Sequence, residues 1–441
     1  MTSAQPSTAQ PRILPAALFN FGWLAGDKLV RMALGVLVGF WVARHLGPAD
    51  FGALNYAFAA VTLFLPVAGM GLDALVRRFL LVEPAQADAC LYWARRLRGA
   101  AACACYALIL AWALLAPMEA RDRQLLLIAG LTLFQPAVMV ADLWLQAHLH
   151  ARASVLTQWV ALAVGAAWRV ALILGDASLM MFAWVAVAEM VLVAAGVELA
   201  ARRLGRPRDA HAPSRSVLAE LMRGALPLLL SGLAIALYLR IDVVMLRSLA
   251  GLEAAGIYSA AVRISELWYF VPLALASSLL PEILRSRADG PAAYARRLQQ
   301  FYDLNAALAL VAAGVTALVA GQIVAWAYGP AFAAAAPVLR WHAWAAVFVF
   351  IGVVRGQFLV NENLGWFYFA ATGTGAVLNI ALNFWLIPRA GPVGAAQATL
   401  VSYAVASWLS SWFSPAVRAT AVMQSRALLI PIRVWGYFRR P

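Results

Sequence analysis

Charge is what this sequence has least of. Only 12% of its 441 residues are Asp, Glu, Lys or Arg, and a single one, Lys28, is lysine. Soluble domains are about one quarter charged, so this scarcity excludes a soluble enzyme, and the 64% hydrophobic content excludes a disordered chain. Cysteine is scarce too: Cys90, Cys103 and Cys105 sit along an apolar stretch with no second cluster, a setting for small packing residues rather than a redox motif. The histidines at 45, 148, 150, 211 and 342 are dispersed, so no metal or cofactor site is expected. Long polar loops are also missing. The short segments between apolar runs hold no carboxylate pair, Ser–His pair or Gly-rich phosphate cradle, and Gly69-Met70-Gly71 reads as a hinge; an enzyme is not expected.

What is present is apolar length. At about 20 residues per crossing, twelve segments qualify: 17–45, 50–76, 97–116, 124–147, 153–174, 178–200, 221–248, 254–283, 303–328, 335–356, 363–387 and 392–414. The expected class is an all-α polytopic membrane protein of about twelve transmembrane helices. The net charge of +14 is carried by arginine and does not indicate nucleic acid. Segments assigned to the cytoplasm hold 23 arginines and those assigned outside hold six, the bias of the positive-inside rule, with both termini cytoplasmic.

The polar stretch Arg202 to Arg223 divides the chain nearly in half, and its two sides look alike. Leu46-Gly47-Pro48-Ala49-Asp50-Phe51-Gly52 is answered by Leu249 to Gly256, and Phe64-Leu65-Pro66 by Phe270-Val271-Pro272. Two six-helix lobes related by a pseudo-two-fold axis around a central cavity produce such a repeat. The expected organisation is a disordered cytoplasmic tail (1–15), an N-terminal lobe (16–201), a cytoplasmic linker (202–220), a C-terminal lobe (221–415) and a basic tail (416–441). In that last tail Arg426, Arg433, Trp435, Tyr437 and Phe438 suggest an amphipathic segment on the anionic inner leaflet.

Charges inside spans are the candidates for function, because an ionised side chain at the bilayer centre costs about 2.5–3.5 kcal/mol unless it faces a cavity or a partner. Asp27, Lys28 and Arg31 share one face of the first span, Arg263 and Glu266 lie three apart in the eighth, and Arg240 and Asp242 lie in the seventh. Two apart on a helix, Arg240 and Asp242 point in different directions. Such groups serve either as structural ion pairs, Asp27–Arg31 and Arg263–Glu266, or as the walls of one polar cavity. Glu189 stands alone, and Arg169, Asp142 and Glu198 lie near enough to an interface to snorkel. Trp326, Tyr328, Trp341 and Trp344 read as an interfacial aromatic belt.

Several motifs carry a family resemblance. Ala43-Arg44-His45-Leu46-Gly47-Pro48-Ala49-Asp50-Phe51-Gly52-Ala53-Leu54-Asn55-Tyr56, Gly71-Leu72-Asp73 with Arg78, Arg240-Ile241-Asp242, Gly256-Ile257-Tyr258-Ser259-Ala260-Ala261 through Arg263 and Glu266, and Asn379, Asn383 and Leu386-Ile387-Pro388 are the segments concerned. Over residues 16–410 the chain resembles the Wzx-type oligosaccharide flippases, a branch of the multidrug/oligosaccharidyl-lipid/polysaccharide transporter superfamily. Phe79 and Pro330 depart from the family pattern. The resemblance implies a flippase of the bacterial inner membrane that moves a polyprenyl-diphosphate-linked oligosaccharide, for O-antigen or exopolysaccharide, to the outer leaflet by alternating access. It also implies an ion gradient as the driving force and a glycan polymerase and chain-length regulator as partners. On that basis Lys28, Arg31, Arg240 and Arg263 are expected to bind the diphosphate or acidic sugars, and Asp27, Asp242 or Glu266 to couple to protons. A multidrug/cation antiporter and a peptidoglycan-precursor flippase are the alternatives.

Overall fold

The structure is a computed structural model that describes residues 13–206 and 214–433, with side chains from residue 31 onward. The side chains of Asp27 and Lys28, most of the expected N-terminal tail, residues 207–213 of the expected linker and the aromatic end of the C-terminal tail lie outside the described part. Among the described residues there is no strand: the apolar segments satisfy their own backbone groups within helices.

The first lobe consists of α1 (Ile13–Gly69), α2 (Asp73–Val82), α3 (Ala87–Leu115), α4 (Ala120–Gly130), α5 (Gln135–Val138), α6 (Val140–Ala147), α7 (Ala151–Leu174) and α8 (Leu179–Arg203). The second holds α9 (Arg215–Ala250), α10 (Leu252–Ser265), α11 (Phe270–Arg285), α12 (Pro291–Leu318), α13 (Ala320–Tyr328), α14 (Ala335–Asn361) and α15 (Gly365–Ser407), with α16 (Arg418–Leu428) docked on it. α9 starts at Arg215, inside the stretch the sequence assigns to the linker. α16 buries Thr420, Ala421, Gln424 and Ala427, and Gln424 Nε2 donates to the Ser407 carbonyl at 2.8 Å.

Ten helical runs among the described residues are long and apolar enough to cross a membrane, and two of them are doubled. α1 breaks at Gly47 (φ 73°, ψ 172°) and α15 at Gly391 (φ 54°, ψ −134°), left-handed conformations that glycine enters without steric cost. Pro48 and Pro392 follow at once, where a proline suits the first turn of a new helix. The chain reverses at both breaks. On a straight helix Gly35 and Phe58 would be about 35 Å apart, yet they line one cavity. Asn383 and Thr399 would be about 24 Å apart, yet both bond to Asp242. With both doublings counted, the ten runs make the twelve crossings the sequence predicts.

The lobes meet along two seams. At the end of the molecule carrying Gly47, the start of the second arm of α1 lies against α10. A Cβ added at Gly52 would collide with the Leu252 carbonyl oxygen and lie 2.8 Å from the Gly256 nitrogen. One added at Gly256 would collide with the Pro48 carbonyl oxygen and lie 2.9 Å from the Gly52 nitrogen. This reciprocal contact is the signature of a pseudo-two-fold axis, and the two motifs that repeat in the sequence are the ones that touch across it. Phe51, Phe40 and Phe332 reinforce this seam around Tyr328, which is 2% exposed and donates to the Ala260 carbonyl at 3.0 Å. Tyr328 therefore belongs to the packed interior, while Trp326, Trp341 and Trp344 stay exposed. Toward the opposite end, α9 packs against α2 and the turn before it, with Leu228 over Gly71 and Leu75 over Gly224.

Candidate functional site

Between the seams lies a cavity of about 490 Å³, walled by both arms of α1, by α9 and by α10. Arg31 enters it from the first arm of α1, Asn55, Phe58 and Thr62 from the second, Arg240 from α9, and Tyr258 and Arg263 from α10. Glu266 completes the wall. Among the described residues three guanidinium groups and one carboxylate line it, so this part of the wall is cationic. Asp27 and Lys28, expected on the same face as Arg31, are not described.

The ion pairing differs from the sequence expectation. Glu266 pairs with Arg240 across two helices at 3.5 Å, not with Arg263 one turn before it. α10 ends at Ser265, and Glu266 opens a 3₁₀ turn over Glu266–Tyr269 within reach of Arg240 on α9. Arg263 instead lies over Gly39: a Cβ there would be 3.2 Å from the guanidinium carbon, which also stands 5.5 Å above the Phe51 ring. Glycine at 39 is what makes room for this arginine, a dependence that no charge pattern displays. Arg31 donates to Gln158, which in turn donates to Ser154 and Asp142. Asp142 is buried inside the first lobe, where it accepts from Ser154 and from Gln146 at 2.7 Å, rather than snorkelling to an interface.

Asp242 points away from the cavity, as its two-residue spacing from Arg240 requires, and is 3% exposed. Its oxygens accept from Tyr258 Oη at 2.7 Å, Thr399 Oγ1 at 2.8 Å and Asn383 Nδ2 at 2.5 Å. Asn383 also donates to Asn379 Oδ1 at 3.0 Å. All these partners are neutral, and two of them stand on opposite arms of the α15 hairpin. Tyr258 connects the cluster to the central cavity, because it lines that cavity while its hydroxyl holds the carboxylate. Asn379 and Asn383 enter the sequence reading only as part of a motif; their four-residue spacing, which puts them on one helix face, was the available signal.

Beside the central cavity, and sharing Gly35, Asn55, Phe58 and Arg263 with it, is a second cavity of about 400 Å³ within the first lobe. Glu189 and Arg169 meet in its wall as a two-pronged ion pair, with one contact at 2.8 Å. Glu189 is therefore not solitary and Arg169 does not snorkel: α7 and α8 are antiparallel neighbours that bring the two together. Gly165 leaves the space that Glu189 occupies. Glu198 is likewise held by Arg95, Arg202 and Arg206 at 2.8–2.9 Å. Two arginines counted among loop residues are buried as well, Arg98 on Asp73 at 2.6 Å and Arg355 inside the second lobe.

The model of a family described as polysaccharide biosynthesis protein matches residues 17–286. No curated protein matches the chain significantly by sequence. Solved structures with the same fold include the lipid II flippase MurJ in an inward closed conformation, with 12% identity, 94% of this chain and 92% of that one covered, and a TM-score of 0.72. They also include an inward-facing multidrug resistance MATE family transporter of the MOP superfamily, with 15% identity, coverage of 91% and 95%, and a TM-score of 0.68. A MOP superfamily transporter from Pyrococcus furiosus, described by the reverse polarity of its binding pocket, has 14% identity, coverage of 93% and 96%, and a TM-score of 0.56.

Proposed function

The chain belongs to the polysaccharide biosynthesis protein family, and from that premise we propose that it is a flippase for a polyprenyl-diphosphate-linked oligosaccharide repeat unit. The observation that carries this reading is the wall of the central cavity, where the described side chains include Arg31, Arg240 and Arg263 and the carboxylate of Glu266. Guanidinium forks match the oxygen geometry of a diphosphate or a uronic acid. The same wall repels a cationic drug, which argues against an antiporter of the multidrug type. Lys28, if its side chain joins Arg31, adds a fourth cation.

In this reading the protein lies in the bacterial inner membrane with both termini in the cytoplasm, so the Gly52–Gly256 seam is the outer gate. The glycan enters the cavity while its lipid tail stays in the bilayer. Alternating access then requires the outer seam to open as the contacts between α2 and α9 hold closed. Asp242 is the coupling carboxylate: neutralising it, by a proton or a monovalent cation, changes its hold on Tyr258 and on both arms of the α15 hairpin. Glu266 and Asp27 are the further coupling candidates, and a glycan polymerase and a chain-length regulator are the partners that would take up the product. No step calls for a nucleophile, so the reading is transport and not catalysis.

The test is flipping of a polyprenyl-diphosphate oligosaccharide in liposomes, with no gradient, a pH gradient or a sodium gradient. Gradient-stimulated movement that is lost in Arg240→Met and Arg263→Met is the expected result. Movement of lipid II in place of the oligosaccharide would instead assign the peptidoglycan-precursor reading. Export of a cationic dye with no movement of lipid-linked glycan would overturn the proposal.

A further inference from the structure

The second lobe holds a cavity of about 480 Å³ of its own, lined by α9, α11, α14 and the two arms of α15 and open on the side of Leu273 and Val360. Leu239 is shared with the central cavity, so a single helix separates the two spaces. Arg355 lines this cavity and is 3% exposed. Among the described residues no carboxylate lies within ion-pair distance of it. Its Nη1 donates to the Ala406 carbonyl oxygen, and its guanidinium carbon stands 5.3 Å from the centre of the Phe367 ring. Its Nε is buried without a hydrogen-bond partner.

A full positive charge in this place is anomalous. An arginine inside a membrane protein ordinarily faces a carboxylate or bulk water. Arg98 faces Asp73, Arg169 faces Glu189, and Arg240 faces Glu266. Arg355 has a carbonyl dipole and an aromatic face, which stabilise a cation but do not neutralise it. Tyr269 stands elsewhere on the wall of the same cavity. Tyr238 and Tyr403 form another part of that wall, their rings stacked 4.2 Å apart.

We infer that this cavity is an oxyanion-binding site centred on Arg355. With Nη1 committed to Ala406, the side-on edge of the guanidinium formed by Nε and Nη2 remains, and two parallel N–H groups there match two oxygens of a carboxylate or phosphate. The space exceeds what a halide needs and suits a group the size of a sugar ring or a lipid headgroup. A uronic acid or sugar phosphate, a headgroup phosphate and free phosphate all present this chemistry.

The experiment uses the full chain purified in a maltoside detergent in Tris chloride, with thermal unfolding as the readout. The probes are sodium phosphate, sodium glucuronate and a short-chain phosphatidylglycerol, each against sodium chloride at equal ionic strength. At least one oxyanion is expected to raise the wild-type Tm saturably above the chloride control, as a ligand of the native state does, and the active probe identifies the source. Arg355→Met is expected to abolish that response. If Arg355→Met does not fold, Arg355→Lys keeps the charge and loses the fork, and at least a tenfold loss of affinity is expected. The proposal is overturned if no oxyanion exceeds chloride. It is also overturned if the response survives in Arg355→Met, or if Arg355→Lys binds as the wild type does. Flipping is not part of the readout, so neither result bears on the transport reading.

Discussion

Gly52→Ala should weaken the closure of the Gly47-end seam without disturbing the helix that carries it. The added Cβ would collide with one backbone atom, the Leu252 carbonyl oxygen, and come within 2.8 Å of another, the Gly256 nitrogen. Neither can rotate aside, so the seam must separate or remain open. Overpacking a tight contact costs about 1–3 kcal/mol, which at about 1.4 kcal/mol per tenfold moves the closed-to-open ratio by roughly 5- to 150-fold. Alanine also raises intrinsic helix stability by up to about 1 kcal/mol, but it does so in both conformations and cancels from this ratio. The assay is the labelling rate of Thr62→Cys, in the wall of the central cavity, by a membrane-impermeant maleimide supplied at the Gly47 end. Cys90, Cys103 and Cys105 are first replaced. Labelling should accelerate within that range, whereas Gly314→Ala, where a Cβ meets open space, should leave it unchanged. A folded Gly52→Ala protein that labels at the parental rate would refute the reasoning, because it would mean that the two repeated motifs do not form a gate.

The ion pair inside the first lobe supplies a second test. Gly165→Ala places a methyl group where the Glu189 carboxyl stands, so it should lower stability by about 1–3 kcal/mol, the cost of separating a partly buried pair that is about one fifth exposed. Glu189→Gln should cost a similar amount, and the double variant little more than either alone, as thermal unfolding of the three proteins would reveal. At the coupling cluster, Tyr258→Phe removes a 2.7 Å hydrogen bond to Asp242 and should cost about 1.5–3 kcal/mol if that carboxylate is ionised. Undiminished stability together with unchanged gradient dependence of flipping would remove Tyr258 from the proposed coupling path.

Part of the site was legible in sequence because hydropathy and helical spacing are local. Arg31, Arg240, Arg263 and Glu266 stand out as charges in apolar runs, and all four line the central cavity. Their pairing was not legible. The pairing of Glu266 with Arg240 and not Arg263 joins two different helices, and the seat of Arg263 depends on a missing side chain at Gly39. The burial of Arg355 was not legible either: six residues from the end of α14, it is covered only when α15 folds back over it.

By itself the sequence determined the number of crossings and the repeat, since each follows from runs of apolar residues and similar segments a fixed distance apart. Only the tertiary structure decided which charges neutralise one another and which remain unpaired. Burial and pairing depend on segments more than a hundred residues apart along the chain, such as Asp242 with Asn383 and Thr399. No local pattern records whether a buried arginine will find a carboxylate, as Arg98 does and Arg355 does not.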